Sequence, residues 1–118
     1  MTLHADALAR LRDWSAPSAG QAALRDRFVS HLAAHPDGLD RDCFPDHLTA
    51  GVVVLDESLD RVLLNLHRKA RRWFAFGGHC EPGDRTLADA ALREGVEESG
   101  ITDLRFDEAP LHLDEHAV

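Results

Sequence analysis

The sequence predicts an α+β fold: a helical extension followed by a mixed α/β body. Three observations predict it. Apolar residues recur at helical spacing through residues 3–35. From Thr49 the pattern changes to β-branched apolar runs separated by short polar turns. A glycine-containing loop then leads into a segment that places three glutamates on one helical stripe.

Residues 3–14 read as an amphipathic helix, with Leu3, Ala7, Leu11 and Trp14 on one face. Ser15 to Gly20 is a loop by composition. A second helix, about 21–35, buries Leu24, Phe28 and Leu32, with Val29 beside them. The run His35-Pro36-Asp37-Gly38 stops it, because proline cannot continue a helix and glycine permits the turn. Residues 37–47 are irregular. Thr49–Leu55 and Arg61–His67 flank the polar turn 56–60 and suggest a β-hairpin. His67 to Arg72 is a basic loop, Trp73–Phe76 a short strand, and Gly77–Arg85 a loop. Thr86 is the expected N-cap of the next helix, with Asp89 as its capping-box partner, and Gly100 its expected C-cap. Leu104–Phe106 and Leu111–Val118 are expected as further strands. These elements divide the chain into a helical extension, 1–45, and a body, 46–118.

Composition excludes several classes of function. The chain has 118 residues, enough for one domain of ordinary size. Its net charge of -8 argues against a polynucleotide or an anionic membrane as partner. No apolar run is long enough to span a membrane, and the first residues lack the apolar core of a signal peptide. Cys43 and Cys80 imply no disulfide framework and fit a reducing cytoplasm. A zinc site from Cys43, His47, His79 and Cys80 matches no usual ligand spacing.

The chemistry concentrates in residues 93–98, Arg-Glu-Gly-Val-Glu-Glu. Glu94, Glu97 and Glu98 stand at i, i+3 and i+4, within an arc of roughly 100° on a helix. Like charges so close repel, and a hard divalent cation such as Mg²⁺ or Mn²⁺ is the ligand that oxygen donors of this kind suit. The bland alternative is a solvated acidic helix face. A second stripe, Ala88, Leu92, Gly95 and Val96, is apolar or small and suited to packing on a sheet.

The stretch Gly77 to Ile101 resembles the Nudix box: paired glycines, an acidic residue, then Arg-Glu-x-x-Glu-Glu-x-Gly-aliphatic. That resemblance implies an α/β/α sandwich around a mixed sheet, preceded here by the two-helix extension. It implies hydrolysis of a nucleoside diphosphate linked to another moiety, with Mg²⁺ or Mn²⁺ as cofactor and a nucleotide-like small molecule as substrate. It implies metal ligands Glu94, Glu97 and Glu98, joined by the backbone carbonyl of Gly77, with Gly78 letting the chain bend past the ion. A glutamate serves as general base, Glu97 being the candidate here. Arg93 is expected to orient one glutamate through a bidentate contact. Arg68, Arg72 and Trp73 are candidates for substrate contact, against the alternative of an exposed hairpin loop.

The departures are specific. Asp84 stands where the pattern has glutamate, and the spacer from Asp84 to Arg93 is one residue longer. Gly95 replaces an aliphatic residue inside the motif. The implied fold continues well past the box, whereas 17 residues follow Ile101. The expectation is that the C-terminal part of the fold is missing and that an open sheet edge favours a homodimer. The alternative to an enzyme is a Nudix-fold module that binds nucleotide and metal without turnover.

Overall fold

Helix α1 (Leu3–Asp13) begins at Thr2, whose hydroxyl accepts from the Ala5 amide at 3.1 Å in the computed structural model, which describes residues 1–117. Trp14 is its C-cap, with extended backbone. Helix α2 (Ala19–Ala34) begins two residues earlier than the pattern suggests, because the Ser18 hydroxyl accepts from the Gln21 amide. It ends at His35, ahead of Pro36. Ala7 and Leu11 of α1 and Leu32 of α2 join Leu39 in one buried cluster, against which Cys80, Leu87 and Leu113 pack. The His4 ring donates from Nε2 to the Leu32 carbonyl at 2.6 Å, tying the two helices together.

Three extended runs follow, each interrupted once. The first holds β1 (Thr49–Val52) and β2 (Val54–Leu55). The second holds β3 (Val62–Leu63) and β4 (Asn65–His67), and the third β5 (Arg72–Phe74) and β6 (Phe76–His79). Each run shares its pairing between the other two: β1 with β6, β2 with β3, β4 with β5, all antiparallel. The single unpaired residues Val53, Leu64 and Ala75 mark where a run changes partner. The expected hairpin is therefore real but short. Asp56 closes it, its amide donating to the Arg61 carbonyl while its carboxylate accepts from the Asp60 and Arg61 amides. These bonds hold the Asp56 carboxyl below the usual range, the Arg61 amide contributing most.

Two sequence expectations are corrected. Gly77 and Gly78 belong to strand β6, not to a loop. Gly51 stands opposite Gly77, and a Cβ on Gly77 would lie 2.9 Å from the Ala50 carbonyl oxygen, so the β1–β6 approach excludes a side chain there. Leu104–Phe106 and Leu111–Ala117 are irregular, and Val118 lies outside the described residues. The reason for the second is local. The Gln21 side chain donates to the Leu113 carbonyl and accepts from its amide, at 2.9 and 2.7 Å, which are the bonds a neighbouring strand would have made. The strands pair only in antiparallel fashion among the described residues, in keeping with the expected α+β class. Short turns join adjacent runs only in antiparallel fashion, and the later segments that could have run parallel form no strand.

Helix α3 (Leu87–Ser99) packs on β1 and β6. Thr86 caps it as expected, its hydroxyl accepting from the Asp89 amide at 2.9 Å. Gly100 ends it at φ +74°, in the left-handed region where glycine carries no Cβ penalty. Gly95 explains itself here: a Cβ would stand 2.7 Å from Val52 Cγ1, so glycine sets how closely α3 can approach β1. A further contact was not foreseen. Asp6, buried in α1, accepts from the Leu87 amide at 2.9 Å, so the extension also caps α3.

Candidate active site

Arg93 organises the acidic face of α3. Its guanidinium grips Asp84 bidentately, Nε to Oδ1 and Nη2 to Oδ2, both at 3.0 Å. Nη1 donates to Glu94 at 3.2 Å and to Glu97 at 3.1 Å, and Nη2 also donates to the His79 carbonyl at 3.0 Å. Glu81 lies 3.4 Å from Nη1. The bidentate partner is thus Asp84, while the two glutamates share Nη1. A planar guanidinium offers five donors, which is why one side chain can serve strand, loop and helix at once.

Asp84 reaches this position despite the longer spacer. The Glu81 amide donates to Asp84 Oδ2 at 2.8 Å and the Asp84 amide donates to the Glu81 carbonyl at 3.0 Å. This tight turn, 81–84, returns the buried Asp84 carboxylate to Arg93. The Arg93 hydrogen bonds hold the Asp84 carboxyl below its ordinary range, against the opposing effect of burial. Asp84 in turn pushes the Arg93 guanidinium up, so the pair stays ionised.

Glu94 and Glu98 converge on the paired glycines. A Cβ on Gly78 would sit 2.7 Å from Glu94 Oε1, so the Glu94 carboxylate occupies space that only glycine leaves open. Partial burial raises the Glu98 carboxyl above the ordinary carboxylate range, and the adjoining Glu94 carboxylate adds to the rise. The Gly77 amide and the Asn65 side chain act in the opposite direction. Glu97 is 56% exposed and faces solvent on the Arg93 side. Beside the site, burial pushes the Cys80 thiol up to about 11, with Asp84 adding and Arg93 opposing. Cys80 is therefore a protonated packing residue at neutral pH.

The family model of the NUDIX domain matches residues 45–116, more than half of the chain. The chain belongs to the Nudix family. No curated protein and no solved structure matches it significantly. Nudix domains are pyrophosphate-bond hydrolases that generally use divalent metals. The donor set fits such an ion on two observations. Two carboxylates, Glu94 and Glu98, adjoin one another, and Arg93 is bonded to the first and not to the second among the described residues. The cradle at Gly77–Gly78 is one a Cβ would fill.

Not every expected residue converges. Arg68, Arg72 and Trp73 lie on or beside the exposed β4–β5 pair, where Trp73 is 64% exposed opposite Leu66. Among the described residues no hydrogen bond or ion pair links them to the glutamates. Asn65, at the base of the same pair and beside Glu98, was missed by sequence reasoning. So were Glu81 and the His79 carbonyl. Their only signal was position: Asn65 is the one amide side chain in an otherwise apolar run, and Glu81 opens the turn that returns Asp84.

Proposed function

We propose that the chain hydrolyses the diphosphate linkage of a nucleoside diphosphate joined to another moiety, with Mg²⁺ or Mn²⁺ held by Glu94, Glu97 and Glu98. The observation that carries this reading is the convergence of Glu94 and Glu98 on the Gly77–Gly78 backbone, with Glu97 held alongside by Arg93. When bound, a divalent cation neutralises phosphate oxygens and lowers the pKa of a coordinated water. The Gly77 carbonyl completes the ligand set in this proposal.

The chain's own residues do the rest. Arg93 fixes the Glu94 and Glu97 carboxylates in the geometry they need before substrate arrives, and Asp84 fixes Arg93. Glu97, 56% exposed beside Arg93, takes the proton from the attacking water in this reading. Arg68 and Arg72 supply positive charge for the outer phosphates, and Trp73 offers an exposed ring for the nucleoside base. No helix among the described residues is long and apolar enough to cross a membrane. A freely diffusing substrate in a reducing cytoplasm, and a homodimeric state, complete the proposal.

The test is phosphate release from a panel of dinucleotides and nucleotide sugars with Mg²⁺ or Mn²⁺. Turnover in the wild type that falls at least about 100-fold in Glu97→Gln and Glu98→Gln supports the reading, as loss of a general base or a metal ligand at this level requires. Metal-dependent nucleotide binding with no turnover of any panel member would instead assign the chain as a binding module.

A further inference from the structure

A second group of ligating side chains lies away from the α3 face, in the loop between α2 and β1. One ligand atom each from His35, Asp37 and Cys43 falls within 4.8 Å of the others. Cys43 is buried at 3% exposure, His35 is half-buried and Asp37 is exposed. The set is chemically mixed: a thiol, an imidazole and a carboxylate. An acidic patch alone suits many things, but a buried sulfur next to an imidazole suits a borderline-soft divalent ion and not Mg²⁺.

The backbone that carries these groups is already ordered. The His35 amide donates to the His31 carbonyl, Gly38 to His35, Asp40 to Asp37, and Cys43 to Asp40, at 2.8–3.0 Å. The Leu48 amide then closes the loop on the Gly38 carbonyl at 2.8 Å. Gly38 is buried, and a Cβ there would meet Leu32 Cδ2 at 2.9 Å, so the loop is pressed onto the end of α2. Four successive turns thus bring residues 35, 37 and 43 together against the end of α2.

A separate observation marks the same corner. The His31 ring packs against the His35 ring, centroids 4.6 Å apart. Its Nε2 is buried with no hydrogen-bond partner, the one such side-chain atom among the described residues. Buried polar atoms are normally satisfied, so this nitrogen marks a corner whose polar groups are not all paired. Asp37, Asp40 and Asp46 also place negative charge around the thiol, which a cation would offset. Tetrahedral zinc, with bonds of about 2.0–2.3 Å, needs donor separations of about 3.3–3.8 Å. Side-chain adjustments of about 1 Å close the present cluster to that size.

We propose that His35, Asp37 and Cys43 form a site for Zn²⁺ or a similar transition-metal ion, structural in role and distinct from the glutamate site on α3. The ion clamps the end of α2 to the chain leading into β1. Binding displaces the Cys43 thiol proton to solvent as the sulfur–metal bond forms, so affinity rises with pH.

Cobalt titration of the full chain tests this, since a cobalt–thiolate charge-transfer band in the near ultraviolet reports sulfur ligation. Wild type should develop the band to saturation at one equivalent of Co²⁺, and Zn²⁺ but not excess Mg²⁺ should remove it. Cys43→Ser should abolish the band, while Cys80→Ser should retain it. His35→Gln, at a half-buried position, should weaken Co²⁺ affinity at least about 10-fold with the fold intact by circular dichroism. No band in the wild type at stoichiometric Co²⁺, or a band that survives Cys43→Ser, would overturn the proposal. Because the readout is sulfur ligation and not turnover, its failure is distinguishable from failure of the glutamate site.

Discussion

At the scale of single residues, Gly95 shows how a departure from a motif can be a packing requirement. Alanine at this position would gain about 1 kcal/mol in helix propensity. It would also push a Cβ to 2.7 Å from Val52 Cγ1, on a β-branched side chain with little rotamer freedom. Overpacking of this kind costs about 1–3 kcal/mol, so the clash wins. Gly95→Ala should lower thermal stability, and the Gly95→Ala/Val52→Ala pair should be less destabilised than the sum of the singles in a double-mutant cycle. The sequence placed Gly95 on a stripe suited to packing on a sheet, but not against Val52, which lies 43 positions upstream on β1. The three glutamates, by contrast, were legible from spacing alone, since a helix fixes which of its residues share a face.

Asp84 yields a pH prediction at the same scale. Its carboxyl titrates below its unfolded value of about 3.9, chiefly through the Arg93 hydrogen bonds. A depressed folded pKa stabilises the folded state fully above the unfolded pKa, and that stabilisation is lost as pH falls through the folded value. Asp84→Asn should therefore cost about 2 kcal/mol near neutral pH, the worth of charged hydrogen bonds at a buried position. The gap between variant and wild type should close only below about pH 4, in denaturant titrations across pH. A gap independent of pH down to 2 would assign the loss to shape and not to charge.

At the scale of elements, α3 is held at its start by two different side chains. Thr86 serves the Asp89 amide from the adjacent loop, and Asp6 serves the Leu87 amide from α1. The first was readable as a local pattern and the second was not, because it joins residues 81 positions apart. Thr86→Ala should cost about 1 kcal/mol in thermal or chemical unfolding. Asp6→Ala should cost at least as much, since it leaves a part-buried amide unpaired and removes a carboxylate from a helix N-terminus. The strands were legible as apolar runs, yet their pairing was not. Each run changes partner at one residue, and the deciding contact, Gly51 opposite Gly77, is a backbone approach that leaves no periodic signal.

For the whole molecule, the helical extension and the Nudix domain share a core and are tied by polar contacts. Leu87 and Cys80 pack on the cluster built by α1 and α2. Arg10 pairs with Glu108 and Arg27 with Glu115, at 2.9 and 2.7 Å. These two pairs are surface-exposed and contribute little, whereas the Asp6 cap and the Gln21–Leu113 bonds are part-buried and fix the relative placement. The sheet keeps large apolar side chains exposed, among them Leu55, Val62, Leu66, Trp73 and Phe74. Helix α3 is thus supported from both sides, by β1 and β6 on one and by Asp6 of α1 at its N-terminus.

In the proposed function, Glu94, Glu97 and Glu98 hold a divalent cation against the paired glycines. Calorimetric titration with Mn²⁺ measures it directly. Binding should be saturable in the wild type and at least about 10-fold weaker in Glu98→Gln and in Gly78→Ala, whose Cβ would displace the Glu94 carboxylate. Wild-type protein that takes up no Mn²⁺ at millimolar concentration, or variants that bind it as tightly as wild type, would rule out a cation site at these glutamates.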